Sequence, residues 1–235
     1  MNTSNYTFEL EKNPPSLAIL GVGAIEQHGD HLPISTDYLI AQEVSFRVAE
    51  QIQAFLLPAI PYSDSLVHRG FAGTVYLKPQ TLRSIIQDIG ESLSLWKVKY
   101  CALLNCHGGN FILIPTVREW NLEGRIPKFF YIDAYSPLGE VMEKNVHACE
   151  VETSLLLYLQ ADSVRMEKAK DYVPDLPRPD LSHFSMKTLC PGGVWGYPSK
   201  ATAEKGKFYF EKMVDYAVNR LHSLIQYCNI DKKSI

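Results

Sequence analysis

The chain has 235 residues, of which 46% are hydrophobic and 21% are charged, a balance typical of globular proteins. Its formal net charge of −3 favours neither nucleic acid nor an anionic membrane as a partner. The N-terminal residues lack the apolar region of a secretory signal, and no apolar run reaches the ~18 residues of a membrane span. The cysteines form no C-x-x-C pair. We therefore expect a cytoplasmic protein with reduced thiols.

Short apolar runs alternate with stretches of helical periodicity along the chain. Runs of strand length predict buried strands at residues 17–22, 55–57, 101–105 and 129–132. Helical spacing of apolar residues predicts helices at residues 38–52, 79–96, 111–122, 151–159 and about 202–227. Pro58 and Pro61 are expected to stop the second strand, and Pro115 is expected to lie near the start of its helix. The alternation predicts a layered α/β domain with a largely parallel sheet.

Metal-binding side chains follow two of these strands. The segment after the first strand contains Glu26, His28, His31 and Asp37. His107 directly follows the strand at 101–105, where Gly108 and Gly109 permit a sharp turn. Because ligand sites of parallel sheets lie beyond the carboxyl ends of the strands, we expect these side chains to meet. Imidazoles and carboxylates suit zinc, manganese and Fe(II) alike.

Each of these residues also has an ordinary structural explanation. Asp37 stands where a helix N-cap is expected, and a lone histidine at a strand end is more often a hydrogen-bonded core residue. Cys106, beside His107, is a candidate nucleophile by residue type. A nucleophilic thiol needs a lowered pKa and a partner, however, so we expect Cys106 and Cys149 to be small buried core residues. The two polar clusters at neighbouring strand ends together favour a metal site.

Five motifs, in order along the chain, resemble the signature of the creatininase (creatinine amidohydrolase) family. They are E-Q-H-G-D-H-L-P…T-D at 26–37, F-A-G-T at 71–74, N-C-H-G-G-N at 105–110, H-A-C-E-V-E-T-S at 147–154, and G-G-V-W-G at 192–196 with A-T-A-E-K-G at 201–206. The resemblance implies a single creatininase-like domain over residues 1–235, with three α/β/α layers and a mainly parallel central sheet.

The resemblance also implies a site for two divalent ions (Zn, Mn or Fe(II)) in each subunit. The implied ligands of one ion are Glu26, Asp37 and His107, and those of the other are His28 and the bridging Asp37. Creatininase has an acidic ligand two residues after its strand-end histidine, where this chain has Gly109. Either Glu152 completes the second site, which we expect, or that site is weak or empty.

Glu152 and His147 are the expected catalytic residues, because the resemblance places the functional glutamate at the E-T-S position. Helical spacing alone favours Glu150, since His147 and Glu150 (i, i+3) share a helix face. We expect Glu152, on condition that residues 147–149 are still loop. Glu150 then becomes a first-turn carboxylate favoured by the helix dipole.

The predicted activity is hydrolysis of a C–N bond in an amide, formamide or cyclic amide by a metal-activated water, with Glu152 or His147 delivering a proton to the departing nitrogen. Creatinine is not favoured, because creatininase uses tryptophans in a region, 121–194, that has none here. The alternatives are a non-catalytic metal-binding relative and a two-metal hydrolase acting on small peptides or on esters. The expected substrate is a small-molecule amide, and neither nucleic acid nor a membrane is expected as a partner. The resemblance also implies a homo-oligomer, such as the hexamers common in the family.

Overall fold

A computed structural model describes residues 1–231 of the chain. Its strands are β1 (Leu17–Val22), β2 (Phe55–Ile60), β3 (Tyr100–Asn105) and β4 (Lys128–Asp133). Its helices are α1 (Thr7–Lys12), α2 (Thr36–Ile52), α3 (Pro79–Leu95), α4 (Leu113–Leu122), α5 (Gly139–Met142), α6 (Glu150–Leu159), α7 (Met186–Leu189) and α8 (Ala203–Asp231). Every strand and long helix expected from the apolar pattern is therefore present.

The strands form one parallel sheet in the order β2-β1-β3-β4. All residues of β1 and β3 are buried, as expected for central strands covered on both faces. The chain moves from β1 to one side through α2 and, after β2, crosses to β3 on the other side of β1. The carboxyl ends of β1 and β3 therefore lie at a topological switch point, which is where α/β sheets bind their ligands.

Of the two prolines expected to stop β2, Pro61 directly follows the end of the strand at Ile60, whereas Pro58 does not stop it. β2 is an edge strand, so the N–H that proline lacks is not needed for pairing with a neighbour on the outer side. The register with β1 shifts between Leu20 and Val22, next to the proline, and Pro58 itself is exposed. Pro115 lies in the first turn of α4, as expected.

Two apolar cores lie on the two faces of the sheet and define three layers. Alternate residues of β1 enter opposite cores: Ile19 packs with apolar residues of α2, α6 and α8, whereas Leu20 packs with those of α3 and α4. This alternation follows from the period of two of a β-strand. None of the helices in the described part of the chain is both long and apolar enough to cross a membrane.

Candidate metal centre

Side chains from five separate segments converge at the carboxyl ends of β1 and β3. Glu26 and His28 lie on the segment after β1, and Asp37 lies in the first turn of α2. His107 lies on the segment after β3, and His147 and Glu152 stand just before and within the first turn of α6. All six residues are buried, and none is more than 5% exposed.

These side chains form three overlapping groups whose ligand atoms lie within 4.8 Å of one another: Glu26–Asp37–His107, His28–Asp37–Glu152 and Glu26–His28–His147. Asp37 lies between the first two groups. Its Oδ2 is 2.8 Å from His107 Nδ1, and its Oδ1 is 3.2 Å from His28 Nε2. Two oxygens facing two different histidines are the arrangement required of a bridging carboxylate.

The donor atoms of the cluster fit a bound cation. Both carboxylate oxygens of Glu26 and Nε2 of His28 are buried without a hydrogen-bond partner among the described residues. Buried polar groups are normally hydrogen-bonded, and the exceptions need an explanation. Divalent ions at these groups would satisfy all three atoms.

Backbone carbonyls orient three of the histidines. His28 Nδ1 lies 3.1 Å from the Glu26 carbonyl, His107 Nε2 lies 3.0 Å from the Asp64 carbonyl, and His147 Nε2 lies 2.7 Å from the Gln27 carbonyl. A carbonyl accepts only, so the nitrogen beside it carries the proton in His28 and His107, whereas His147 Nε2 also lies 2.9 Å from the Gln27 Nε2 donor. The other ring nitrogen of His28 and of His107 then faces the carboxylates, where it can bind a metal ion, which is the usual arrangement around metal-binding histidines.

The start of α6 decides which glutamate faces the cluster. Helix α6 begins at Glu150, so residues 147–149 are loop, and Glu152 occupies the third helical position. Its Oε2 accepts from the N–H of Cys149 at 3.3 Å, and its Oε1 points towards His28 Nε2 at 3.9 Å. Glu150 instead accepts from Lys205 Nζ at 2.8 Å and from the Tyr209 hydroxyl at 3.1 Å, outside the cluster.

Gly109 is surrounded too closely for a side chain. A Cβ there would lie 2.3 Å from the Asp64 carbonyl oxygen and 2.5 Å from His107 Nε2. The same carbonyl orients the His107 ring, and Asn110 Oδ1 accepts from the Asp64 N–H at 3.2 Å. Position 109 therefore has no room for a side-chain ligand. Its backbone packs instead against the carbonyl that orients His107.

His31 and the two cysteines lie outside the cluster. His31 Nε2 lies 3.0 Å from the Thr153 hydroxyl, and burial lowers the pKa of His31 to about 4. Cys106 and Cys149 are fully buried, and burial raises the pKa of each thiol well above its ordinary value. Neither thiol has the lowered pKa that a nucleophile needs.

The sequence reasoning missed His68, which lies in the irregular segment before the F-A-G-T motif. His68 is buried, and its Nε2 lies 3.2 Å from Glu26 Oε1. Its Nδ1 lies 2.9 Å from Gln27 Nε2, while Gln27 Oε1 accepts from the Gly29 N–H at 3.0 Å. Because an amide nitrogen only donates, Nδ1 of His68 accepts, and its proton stands on the Nε2 that faces Glu26.

The cluster is strongly coupled electrostatically. Burial raises the pKa of Glu26 to about 7. Burial alone would lower the pKa of His107, but Glu26 and Asp37 outweigh it and raise that pKa to about 9. Asp37 and Glu152 likewise raise the pKa of His28 well above its ordinary value against the effect of burial. Without a metal, protons on His28 and His107 therefore balance the carboxylates.

The cluster forms the floor of a cavity of about 760 Å³. Glu26, Asp37, His107 and Glu152 line its inner end, and Arg178, His183 and Phe184 line the part formed by residues 178–186. That segment includes a 3₁₀ turn at Arg178–Ser182 and was predicted only to be irregular. A small molecule or the end of a peptide fits a cavity of this size.

Comparisons with known proteins agree with this geometry. A family model described as "Creatininase: Creatinine amidohydrolase" matches residues 3–221. A "Mycofactocin precursor peptide peptidase" of Mycobacterium ulcerans is 33% identical over 91% of this chain and 87% of its own length. A "Creatinine amidohydrolase" of Pseudomonas putida is 28% identical over 83% and 85%. A solved creatininase variant described as "Zn-Zn type" superposes with a TM-score of 0.79 at 25% identity, over 94% of this chain and 97% of that one.

Proposed function

The chain belongs to the creatininase family, and from this premise we propose that it is a metal-dependent amidohydrolase that cleaves a C–N bond of an amide, formamide or cyclic amide. The proposal includes two divalent ions in each subunit, drawn from Zn, Mn and Fe(II), in a single domain over residues 1–235 that assembles into a homo-oligomer. The observation that carries it is the set of orphaned buried atoms on Glu26 and His28 within reach of Asp37, His107 and Glu152.

We assign the metal ligands by group. Glu26, Asp37 and His107 would hold one ion, and His28, Asp37 and Glu152 would hold the other. When bound, such ions polarise a carbonyl oxygen and lower the pKa of a water to near neutrality. Because Gly109 has no side chain, Glu152 is the residue that supplies a carboxylate to the second group besides Asp37.

The residues of the chain supply positioning and proton transfer. His147 Nε2 is held by the backbone carbonyl and the side-chain amide of Gln27, and its Nδ1 is directed into the cluster, 3.5 Å from Glu26 Oε1. From there it accepts a proton from the attacking water and returns it to the departing nitrogen, which makes the amine a leaving group. Glu152 is the other group that can move this proton, since its Oε1 makes no hydrogen bond to the α6 N-cap.

The relatives point to two substrate classes. The most similar relative reported above is named for a peptide substrate, and the next is named for a cyclic amide. The cavity accommodates either class, because it is open beside residues 178–186 and does not close over the cluster. A small peptide amide or a formamide therefore stands beside a cyclic amide in the proposal.

Asp37→Asn tests the proposal. The bridging residue keeps its shape but loses its charge, so we expect metal content, measured by plasma mass spectrometry, to fall from about two ions per chain, the number two-metal hydrolases use, to less than one. Turnover in a screen of formamides, lactams and short peptides should fall below detection. Asp88→Asn, on the exposed face of α3, is the matched control and should change neither quantity.

Three results would contradict the proposal. Asp37→Asn with full hydrolytic activity would exclude the two-metal mechanism. Two bound ions without turnover on any amide would favour a non-catalytic metal-binding protein, and turnover of phosphoesters alone would favour the ester-hydrolase alternative.

A further inference from the structure

Arg178 stands at the mouth of the active-site cavity. It begins the 3₁₀ turn at Arg178–Ser182 and follows Pro177, and Pro179 follows it, so the backbone around it is restricted. Its Nη2 lies 3.7 Å from the position that a Cβ on Gly108 would occupy. Gly108 is adjacent to His107, so the guanidinium lies beside the loop that carries a proposed metal ligand.

The guanidinium has no polar partner of its own. Within residues 1–231 it forms neither a hydrogen bond nor an ion pair within 4.0 Å. Burial raises the pKa of Asp133, at the end of β4, and the positive charge of Arg178 opposes this rise. The two groups do not form an ion pair. Among the cavity-lining residues of the described chain, Arg178 is the one that carries a permanent positive charge.

Apolar side chains flank this charge at the cavity. Leu66, Phe111 and Phe184 all line the cavity and are 46%, 74% and 48% exposed, respectively. Large exposed apolar groups beside a binding cavity usually mark surface that a ligand covers. The exposed part of the cavity lining thus combines apolar side chains with one cation.

We propose that Arg178 is an anion-binding subsite and that the substrate is an amide that carries an anionic oxyacid group, a carboxylate or a phosphate, beyond the scissile bond and next to an apolar group. This inference rests on the proposed function and specifies its substrate class. A planar guanidinium presents paired N–H donors that match the paired oxygens of a carboxylate or phosphate. A neutral cyclic amide would leave these donors to water.

The test measures binding of matched ligand pairs by isothermal titration calorimetry to the full-length chain loaded with Zn²⁺. N-formyl-L-phenylalanine is compared with N-formyl-L-phenylalaninamide, and 2-phenylethyl phosphate is compared with 2-phenylethanol. Wild type should prefer the charged member of at least one pair by about 10- to 100-fold, the range for a hydrogen bond to a charged group. The pair that shows the preference identifies the anion.

The variants separate Arg178 from the metal ions, which also attract anions. Arg178→Met should reduce the charged-over-neutral preference to within about twofold, and Arg178→Lys, which keeps the charge and loses the fork, should retain part of it. Arg118→Met, an exposed arginine of α4 outside the cavity lining, is the matched control and should keep the full preference. Circular dichroism verifies that each variant is folded.

A preference that persists in Arg178→Met would overturn the proposal, because the anion would then be bound elsewhere. Equal binding of the charged and neutral ligands by wild type in both pairs would overturn it as well. These measurements need no turnover, so failure to hydrolyse any amide would contradict the proposed function without affecting the outcome for Arg178.

Discussion

At the scale of single residues, the site depends on which ring nitrogen of each histidine carries a proton. His28 and His107 donate to backbone carbonyls, which leaves their second nitrogens free to act as ligands. His68 has the opposite polarity, because the Gln27 amide donates to it. His68 therefore directs an N–H towards Glu26 and acts as a positioning residue for that carboxylate, not as a ligand.

Gln27→Met tests this assignment. The substitution removes the amide that donates to His68 Nδ1, lies 2.9 Å from His147 Nε2 and accepts from Gly29, but it keeps the backbone carbonyl beside His147. We expect the metal content to be retained and kcat to fall by about 10- to 100-fold, the usual effect of losing a residue that orients the metal site. Enzyme assays and metal analysis measure the two effects separately.

Gln80→Met, at an exposed position of α3, provides the control for the loss of an amide and should leave kcat unchanged. If Gln27→Met had the same kcat as Gln80→Met, the orientation of His68 would have no role in turnover. If it lost metal instead, Gln27 would act on the ligands themselves.

At the scale of elements, regular structure was predictable and its exceptions have physical causes. The helical spacing of Ile40, Val44 and Val48 predicted α2 because that face is fully buried against the sheet. The continuation of β2 past Pro58 was not predictable, since it depends on β2 lying at the edge of the sheet. Whether a strand is central or at an edge is decided by pairing with distant segments.

Part of the candidate site could also be predicted from the sequence. Glu26, His28 and His107 follow strands, so topology alone brings them to one edge of the sheet. His68 and Arg178 lie in segments without periodicity, and only tertiary packing brings them to the cavity. The contact that requires glycine at 109 cannot be predicted locally either, because the Asp64 carbonyl comes from a segment that is distant along the chain.

The Gly109→Ala variant tests the contact between the segment after β3 and the segment after β2. Gly109→Ala places a Cβ against the Asp64 carbonyl, a backbone atom that cannot move independently of its chain. We expect a loss of about 1–3 kcal/mol in the free energy of unfolding, as for other overpacked sites, and weaker metal binding because His107 loses its orienting carbonyl.

Chemical denaturation and metal titration measure both effects of Gly109→Ala. Gly108→Ala is the matched control, because a Cβ there meets only Arg178 Nη2, at 3.7 Å, and it should change stability little. Equal stability of the two variants would mean that the segments are free to separate and that the close contact does not hold His107.

At the scale of the whole molecule, the buried charge cluster couples folding to pH and to metal. In the metal-free protein the pKa of His107 is raised to about 9, and that of His28 is also raised. A histidine with a raised pKa stabilises the folded state below its ordinary pKa of about 6.5, and this stabilisation is lost as the pH rises through the folded-state value. Burial also raises the pKa of Glu26 to about 7, which acts in the same direction.

The groups with lowered pKa values do not cancel this effect above pH 6.5. The pKa values of His31, His68 and His147 are lowered, so their contribution to stability rises with pH only until the unfolded histidines have lost their protons, roughly one pH unit above their ordinary pKa of about 6.5. Asp37, whose pKa is lowered by His28 and His107 against burial, already gives its full stabilisation below pH 6.5, so its contribution does not change over this range. The net slope above pH 6.5 therefore takes its sign from the raised pKa values of His28, His107 and Glu26.

We predict that the chelator-treated protein loses stability between pH 6.5 and 8, by about 2 kcal/mol for His107 alone at roughly 1.4 kcal/mol per pH unit. Urea denaturation at several pH values measures the slope, and ending at pH 8 keeps the buried thiols protonated in both states. Zinc affinity should rise over the same range, because an ion must displace the protons on His28 and His107. Stability of the metal-free protein that stays level or rises with pH would show that these histidines are not held charged by Asp37 and Glu26.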